Sequence, residues 1–352
     1  MDYTSFAQML ASFAFEALSA TLFYSDLRSG RRVLDGISIL VVFLCIQSLH
    51  IIAAGLCGWL SGFWMTASSM AGIVAFAAVS TLRARVMECF RLFVAPSLRN
   101  LADGARRNPF LAVCAAGAAA YIAFHALLFV VIAPPLTFDA LTYHLSKVAH
   151  WVHSGSLALP VFPIKRVFWP SGMELLNCWW AVFRHDDFLI EMPGLYFHAL
   201  ATLATYAIAR NMGIRKRASA YAAIAFSITP VIVGHGSTCL TDLPTAALFY
   251  FLLAFWTVPS TGEEDARRRW FLSAMALFLA IGIKPTIAFM MPGLLVAAMP
   301  LVRRHDFVAL KSVFRASPSL WILVCASLFL GSFWYLRNAI RFGNPLYPVV
   351  AG

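Results

Sequence analysis

Apolar residues in this chain do not alternate with polar ones at the period of a half-buried strand. They run in blocks bounded by charged stretches, at residues 37–60, 61–80, 110–133, 188–208, 218–233, 243–258, 270–283, 285–298 and 318–335. Several blocks approach the ~20 residues with which a helix crosses a bilayer core. Those between 270 and 298 are shorter and are interrupted by "IGIKPT", the pattern of broken spans. Ahead of the first block, residues 1–32 read as an interfacial helix or a short span, and Glu16 in the middle weighs against the span. The segment 82–109, with "ARVMECFRLFVAPSLRNL", reads as an amphipathic helix lying on a membrane surface. The pattern predicts an all-α, polytopic transmembrane helical bundle.

Composition agrees: 61% of the 352 residues are hydrophobic and 12% charged, and the mean hydropathy is +0.77, more apolar surface than a soluble domain can hide. The formal charge of +11 would suit a nucleic-acid partner only if it formed a patch. It falls instead in short clusters between apolar blocks: Arg28, Arg31 and Arg32; Arg83, Arg85, Arg91, Arg99, Arg106 and Arg107; Arg210, Arg215, Lys216 and Arg217; Arg267, Arg268 and Arg269; Arg303 and Arg304. With one crossing per block, every cluster lands on one side, which the positive-inside rule makes cytoplasmic. The reading is of a multi-pass protein of a bacterial cytoplasmic (inner) membrane, with membrane lipids as its surroundings and no nucleic acid as partner. The seven cysteines form no CxxC pair and sit mostly in apolar blocks, as small hydrophobes do. The N-terminus lacks the basic region and cleavage site of a signal peptide.

The opposite, extracytoplasmic face then collects residues 134–187, "GHGSTCLTD", the Lys284 turn and "LRNAIRFGNPLYP". Asp139 follows Pro134 and Pro135, which stop the incoming helix and leave the carboxylate outside the hydrocarbon. If "DALTYHLSKVAHW" is helical, Asp139, Thr142, Tyr143 and Ser146 share a face, His150 lies one turn beyond, and His144 points elsewhere in a supporting role. That face suits a general base; a helix cap is the bland alternative. Asp242 opens an apolar helix near His235, where the pair could hold a cation. An oxygen-liganded Mg2+ or Mn2+ fits better than zinc, and a site without metal fits as well. Lys284, between two apolar stretches, requires snorkelling or an anion such as phosphate, and Lys165, Arg166, Arg337 and Arg341 are further cations on that face. Trp151, Trp169, Trp179 and Trp180 read as interfacial anchors first and sugar-stacking surfaces second. Asp186 and Asp187 face water or cap the next helix.

"FDALTYHLSKVAHWVHSGSL", "TPVIVGHGSTCLTDLPTAA", "AIGIKPT" and "YLRNAIRFGNPLYP" together resemble the ArnT-like and protein-mannosyltransferase-like integral membrane glycosyltransferases of the GT-C superfamily. The likeness covers residues 110–352, with a large extracytoplasmic loop at 134–187, and leaves 1–109 as N-terminal membrane segments with a cytoplasmic amphipathic connection. It implies transfer of a sugar, with inversion, from a polyprenyl-phosphate-linked donor to an envelope lipid, glycan or protein acceptor. Asp139 is then the catalytic base and Asp242 a second acidic position. Tyr143, His144, Lys165, Arg166, His235, Lys284, Arg337 and Arg341 are candidates to hold substrate. Two departures stand out: the family's first loop often carries two adjacent acidic residues, whereas Ala140 follows Asp139 here, and spans precede the loop that relatives place after their first span. Relatives commonly continue beyond the point matched by "GNPLYPVVAG", so the chain is a shortened member or part of a longer one. A transporter or flippase of a lipid-linked or anionic substrate, with Lys284 at its site, is the rival reading; an envelope scaffold is another.

Overall fold

The computed structural model describes residues 3–159, 164–258, 262–298 and 313–348, together with Asp306, Val308 and Lys311. Arg303 and Arg304 of the last basic cluster lie outside the described residues. The described chain is helical throughout: α1 (Tyr3–Thr21), α2 (Tyr24–Leu27), α3 (Arg32–Leu56), α4 (Gly62–Ala78), α5 (Ser80–Cys89), α6 (Ala95–Arg107), α7 (Pro109–Ala126), α8 (Leu145–Ser154), α9 (Gly172–Ala181), α10 (Met192–Asn211), α11 (Lys216–Ser227), α12 (Pro230–Gly236), α13 (Asp242–Trp256), α14 (Glu263–Ile283), α15 (Ile287–Ala298) and α16 (Pro318–Phe342). Punctuation follows local chemistry. Pro318 opens α16 and Gly343, at φ 68°, closes it; Gly155, at φ 65°, closes α8.

By length and composition, three described helical segments can cross a membrane: Arg32–Leu56, Pro109–Ile132 and Pro318–Phe342. The number rises to five when the bent pairs α4 with α5–α6 (92°) and α11 with α12 (64°) each count as one span. The 92° bend turns the arginine-rich stretch off the axis of α4. α13, with 15 residues, and α15, with 12, are shorter than a full crossing. Large apolar side chains such as Phe63, Phe110, Val113, Phe289 and Ile322 are exposed around the bundle, as expected where lipid replaces water. The chain is thus an all-helical protein with the long apolar helices of membrane association.

α1 belongs to the bundle, packing along α3 and α4. Its start lies at the α4 N-terminus, where Gln8 approaches Gly62, and its far end receives Arg85 through the Leu22 carbonyl. Glu16 is sealed in the interior, where Trp179 Nε1 (2.7 Å) and Gln47 Nε2 (3.2 Å) donate to it and His50 Nδ1 stands 2.9 Å away. Burying a carboxylate is tolerable only with such partners. α14 packs against α16 through glycines: a Cβ on Gly282 would meet the Leu330 carbonyl at 2.9 Å, so only glycine allows this approach.

The bundle has two chemically distinct ends. At one, Arg31 meets Asn211, and Arg85 and Arg268 converge on Asp26. At the other, the segment after α7 folds back as α8 and α9, joined to the α3–α4 connection by Leu60 N–H to Gly155 O (3.0 Å) and Leu157 N–H to Gly55 O (3.2 Å). All ten residues of α9 except half-buried Gly172 are buried, so this connection forms part of the core.

Candidate functional site

Ala133 leaves the helix in extended conformation, ahead of the two prolines. The chain re-enters helix as a π-turn over Ala140–His144 before α8. A π-turn adds a residue to the helical repeat, yet the expected neighbours stay together: the Tyr143 hydroxyl reaches Asp139, and Ser146 Oγ donates to the Thr142 carbonyl at 3.0 Å. Thr142 and Ser146 turn their hydroxyls onto backbone carbonyls of Phe138 and Leu141. Asp139 makes no side-chain cap. Its carboxylate lies 3.7 Å from Arg166 Nη1, in a pair 42% and 54% exposed, and within reach of the Tyr143 hydroxyl. The Arg166 guanidinium stands 5.7 Å from the Tyr143 ring and 5.8 Å from that of Trp169, a cation–π bracket that fixes its direction. Burial, first, and the neighbouring Asp139 carboxylate push the Tyr143 phenol up, so it stays a hydrogen-bond donor.

Directly beneath lies a charged cluster with almost no exposure. Glu174, on α9, places Oε1 2.9 Å from His144 Nδ1 and 2.6 Å from Lys147 Nζ. Lys147 also donates to Ser171 Oγ at 2.8 Å, and Ser171 donates to the Trp169 carbonyl at 2.8 Å. Burial pushes the Glu174 carboxyl up, but the Lys147 ammonium and His144 outweigh it and hold it down at about 2. Arg337 is within electrostatic range of Glu174. It donates to the Phe168 carbonyl (3.1 Å), lies over the Trp334 ring at 4.9 Å, and leaves Nη1 buried without a partner. Asn338 donates to the same Phe168 carbonyl and to that of Tyr347. The end of α16 therefore clamps the short helix Lys165–Phe168, and with it Arg166, over the cluster.

Asp242 and Lys284 form a separate group. Their side chains pair at 2.6 Å while 58% and 29% exposed, and His235 adds its field to Asp242. Lys284 was expected to snorkel or to meet an anion such as phosphate; here its partner is the Asp242 carboxylate. The two groups flank the start of α9, where Gly172 sits so close to Gly282 that a Cβ would stand 2.9 Å from its carbonyl oxygen. Lys165 and Arg341 are exposed. Asp186 is held by Arg184 and accepts from Phe188 N–H within the turn before α10, while Glu191 occupies the N-cap position of that helix. The tryptophans require correction: Trp151 and Trp179 are fully buried and Trp180 is 6% exposed, so they build the core instead of anchoring at an interface or stacking on a sugar. Trp151 stacks on Trp334 with ring centroids 5.7 Å apart. Trp169 is half-buried, with the Arg166 guanidinium 5.8 Å and the Tyr143 ring 6.2 Å from its ring.

Lys147 and Glu174 are the residues that sequence reasoning passed over. The available signal was His144 and Lys147 three apart, hence on one side of a helix, on a segment too apolar to leave a lysine unpaired. Among the described residues no three His, Cys, Asp or Glu side chains gather as a metal site. The two carboxylates suited to Mg2+ or Mn2+, Asp139 and Asp242, each face a cationic side chain. These surroundings do not fit a divalent cation, so no chemical step below passes through one.

Residues 184–352 match a family described as a domain of unknown function (DUF8201), just under half of the chain. The matched region holds Asp242, Lys284 and Arg337; Asp139, His144, Lys147 and Glu174 precede it. No curated protein matches the chain, and no solved structure matches it.

Proposed function

We propose that this chain is a multi-pass enzyme of a bacterial cytoplasmic membrane that transfers a sugar, with inversion, from a polyprenyl-phosphate donor to an envelope lipid, glycan or protein acceptor at the extracytoplasmic face. The observation that carries the reading is the layered site: an exposed Asp139–Arg166 pair beside half-buried Trp169, with buried Tyr143 behind it, over the buried His144–Lys147–Glu174 cluster and Arg337. An acceptor hydroxyl attacks the anomeric carbon, the bond from that carbon to the phosphate oxygen breaks, and its electron pair leaves on the phosphate. Phosphate departs without a general acid, so the protein must supply a proton acceptor and cations. Arg166, Lys147 and Arg337 provide more positive charge than Asp139 and Glu174 neutralise, which favours a developing phosphate anion. The half-buried Trp169 ring suits the apolar face of a sugar. A bundle of apolar helices below gives the lipid tail a place to lie, and the arginines gathered at the opposite end suit a cytoplasmic orientation for that end.

The test is transfer of radiolabel from polyprenyl-phosphate sugars into membrane extract by the purified protein in nanodiscs. Transfer from at least one donor, lost in Arg166→Ala, is the expected result; absence of transfer from every donor rejects the reading. One observation favours a second reading, transport of a lipid-linked or anionic substrate: Lys284 pairs with Asp242 at the break between α14 and α15, where an anion could exchange for the carboxylate. Uptake of labelled donor into sealed vesicles, abolished by Lys284→Met, distinguishes it.

A further inference from the structure

We infer that His144, oriented by Glu174, is the proton acceptor of this site, and that Asp139 positions Arg166 and Tyr143. The inference rests on the transfer reading above and changes which residue performs its central step.

A carboxylate can only accept, so the 2.9 Å contact between His144 Nδ1 and Glu174 Oε1 puts the ring hydrogen of neutral His144 on Nδ1 and the lone pair on Nε2. The charge of Glu174 is already met by Lys147 Nζ, 2.6 Å from the same oxygen. The carboxylate therefore orients His144 without requiring an imidazolium as its counter-charge. Nε2 has no hydrogen-bonding partner among the described residues, and His144, 5% exposed, sets its ring against that of Tyr143 with centroids 4.3 Å apart. A nitrogen that is directed by its ring partner and left unpaired can receive a proton from a hydroxyl brought against it. Asp139 is placed differently. Arg166 stands 3.7 Å from its carboxylate and the Tyr143 hydroxyl is turned to it, so taking a proton there would disrupt the bracket that aims Arg166. Asp139 thus stays at the rim, 42% exposed, while His144, on the π-turn Ala140–His144, faces Glu174 of α9. In the step, the acceptor O–H bond breaks and its proton goes to Nε2. The oxygen electron pair forms the bond to the anomeric carbon, and the carbon–phosphate-oxygen bond breaks with its pair on the phosphate.

Wild type, His144→Gln, Glu174→Gln and Asp139→Asn in nanodiscs are assayed for transfer with radiolabelled polyprenyl-phosphate sugars. His144→Gln is expected to lower kcat about 10²- to 10⁴-fold with little change in KM for the donor, the scale of a lost general base. Glu174→Gln, which leaves His144 in place but removes the acceptor-only partner, should lower kcat at least about tenfold. Asp139→Asn should act mainly on KM. A larger kcat loss in Asp139→Asn than in His144→Gln overturns the inference. Carbethoxylation by diethyl pyrocarbonate, followed by mass spectrometry of the His144 peptide, provides a readout independent of substrate. Reaction at His144 in the native protein is expected, and slower reaction in Glu174→Gln; a native His144 that reacts only after unfolding overturns the inference even if transfer occurs. Absence of transfer in wild type rejects the transfer reading, and with it the proton step, while the modification pattern still decides whether Glu174 orients His144.

Discussion

Replacing Lys147 with methionine isolates the energetic centre of the site. The ammonium is fully buried and its partner Glu174 is 1% exposed, so the variant leaves a carboxylate in the interior with His144 as its remaining direct partner. Removing one member of a buried ion pair costs about 3–5 kcal/mol. For a chain of this length each kcal/mol moves the melting point by roughly 2 °C, so Lys147→Met should lose roughly 5–10 °C. The buried Trp151, Trp179, Trp180 and Trp334 give an intrinsic fluorescence signal for the melt in detergent. Removing both charges in Lys147→Met/Glu174→Met should restore all but about 1–2 kcal/mol, because two apolar side chains of similar volume replace the pair and the deficit left is the lost bond to His144. A single variant melting within about 2 °C of wild type, or a double variant no more stable than the single, would refute the account of a desolvated, mutually dependent pair.

Three more outcomes follow from the same geometry. Because the folded Glu174 carboxyl is depressed, its stabilisation is complete above about 4.5 and is lost as pH falls toward about 2; the wild-type melting point should drop across that window, and Glu174→Gln should flatten the slope. Gly172→Ala drives a Cβ to 2.9 Å from the Gly282 carbonyl oxygen and from Ile283 Cγ1, which should cost about 1–3 kcal/mol in the melt and lower transfer by displacing the start of α9. Asp242→Asn breaks a pair that is 58% and 29% exposed, so it should change stability by no more than about 1 kcal/mol; a loss several times larger would show that the pair is desolvated in the membrane.

Helices, and the ends at which basic and site residues collect, were legible because both are written in one dimension. Apolar block length decides whether a segment suits a bilayer. Proline pairs and glycines mark where it stops, as at Pro134, Pro135 and Gly343. Asp139, Tyr143 and Arg166 were singled out as candidates from their position beyond a span, and the fold does bring these three together.

The pairing of these residues was decided by the fold. Nothing local couples Lys147 to Glu174, 27 residues later, or Glu16 to Trp179 across most of the N-terminal half; those contacts exist because the loop after α7 folds into the bundle as α8 and α9. Trp151 and Trp179 looked like interfacial anchors for the same reason: the sequence places them outside a span, and only the packing of that loop puts them in the core. The π-turn at Ala140–His144 is likewise invisible in composition, yet it decides that His144 meets Glu174. The sequence by itself determined an apolar helical chain with polar chemistry collected at one end. Tertiary structure decided which charges are desolvated and which ring nitrogen is left without a partner, since both depend on neighbours brought from distant parts of the chain.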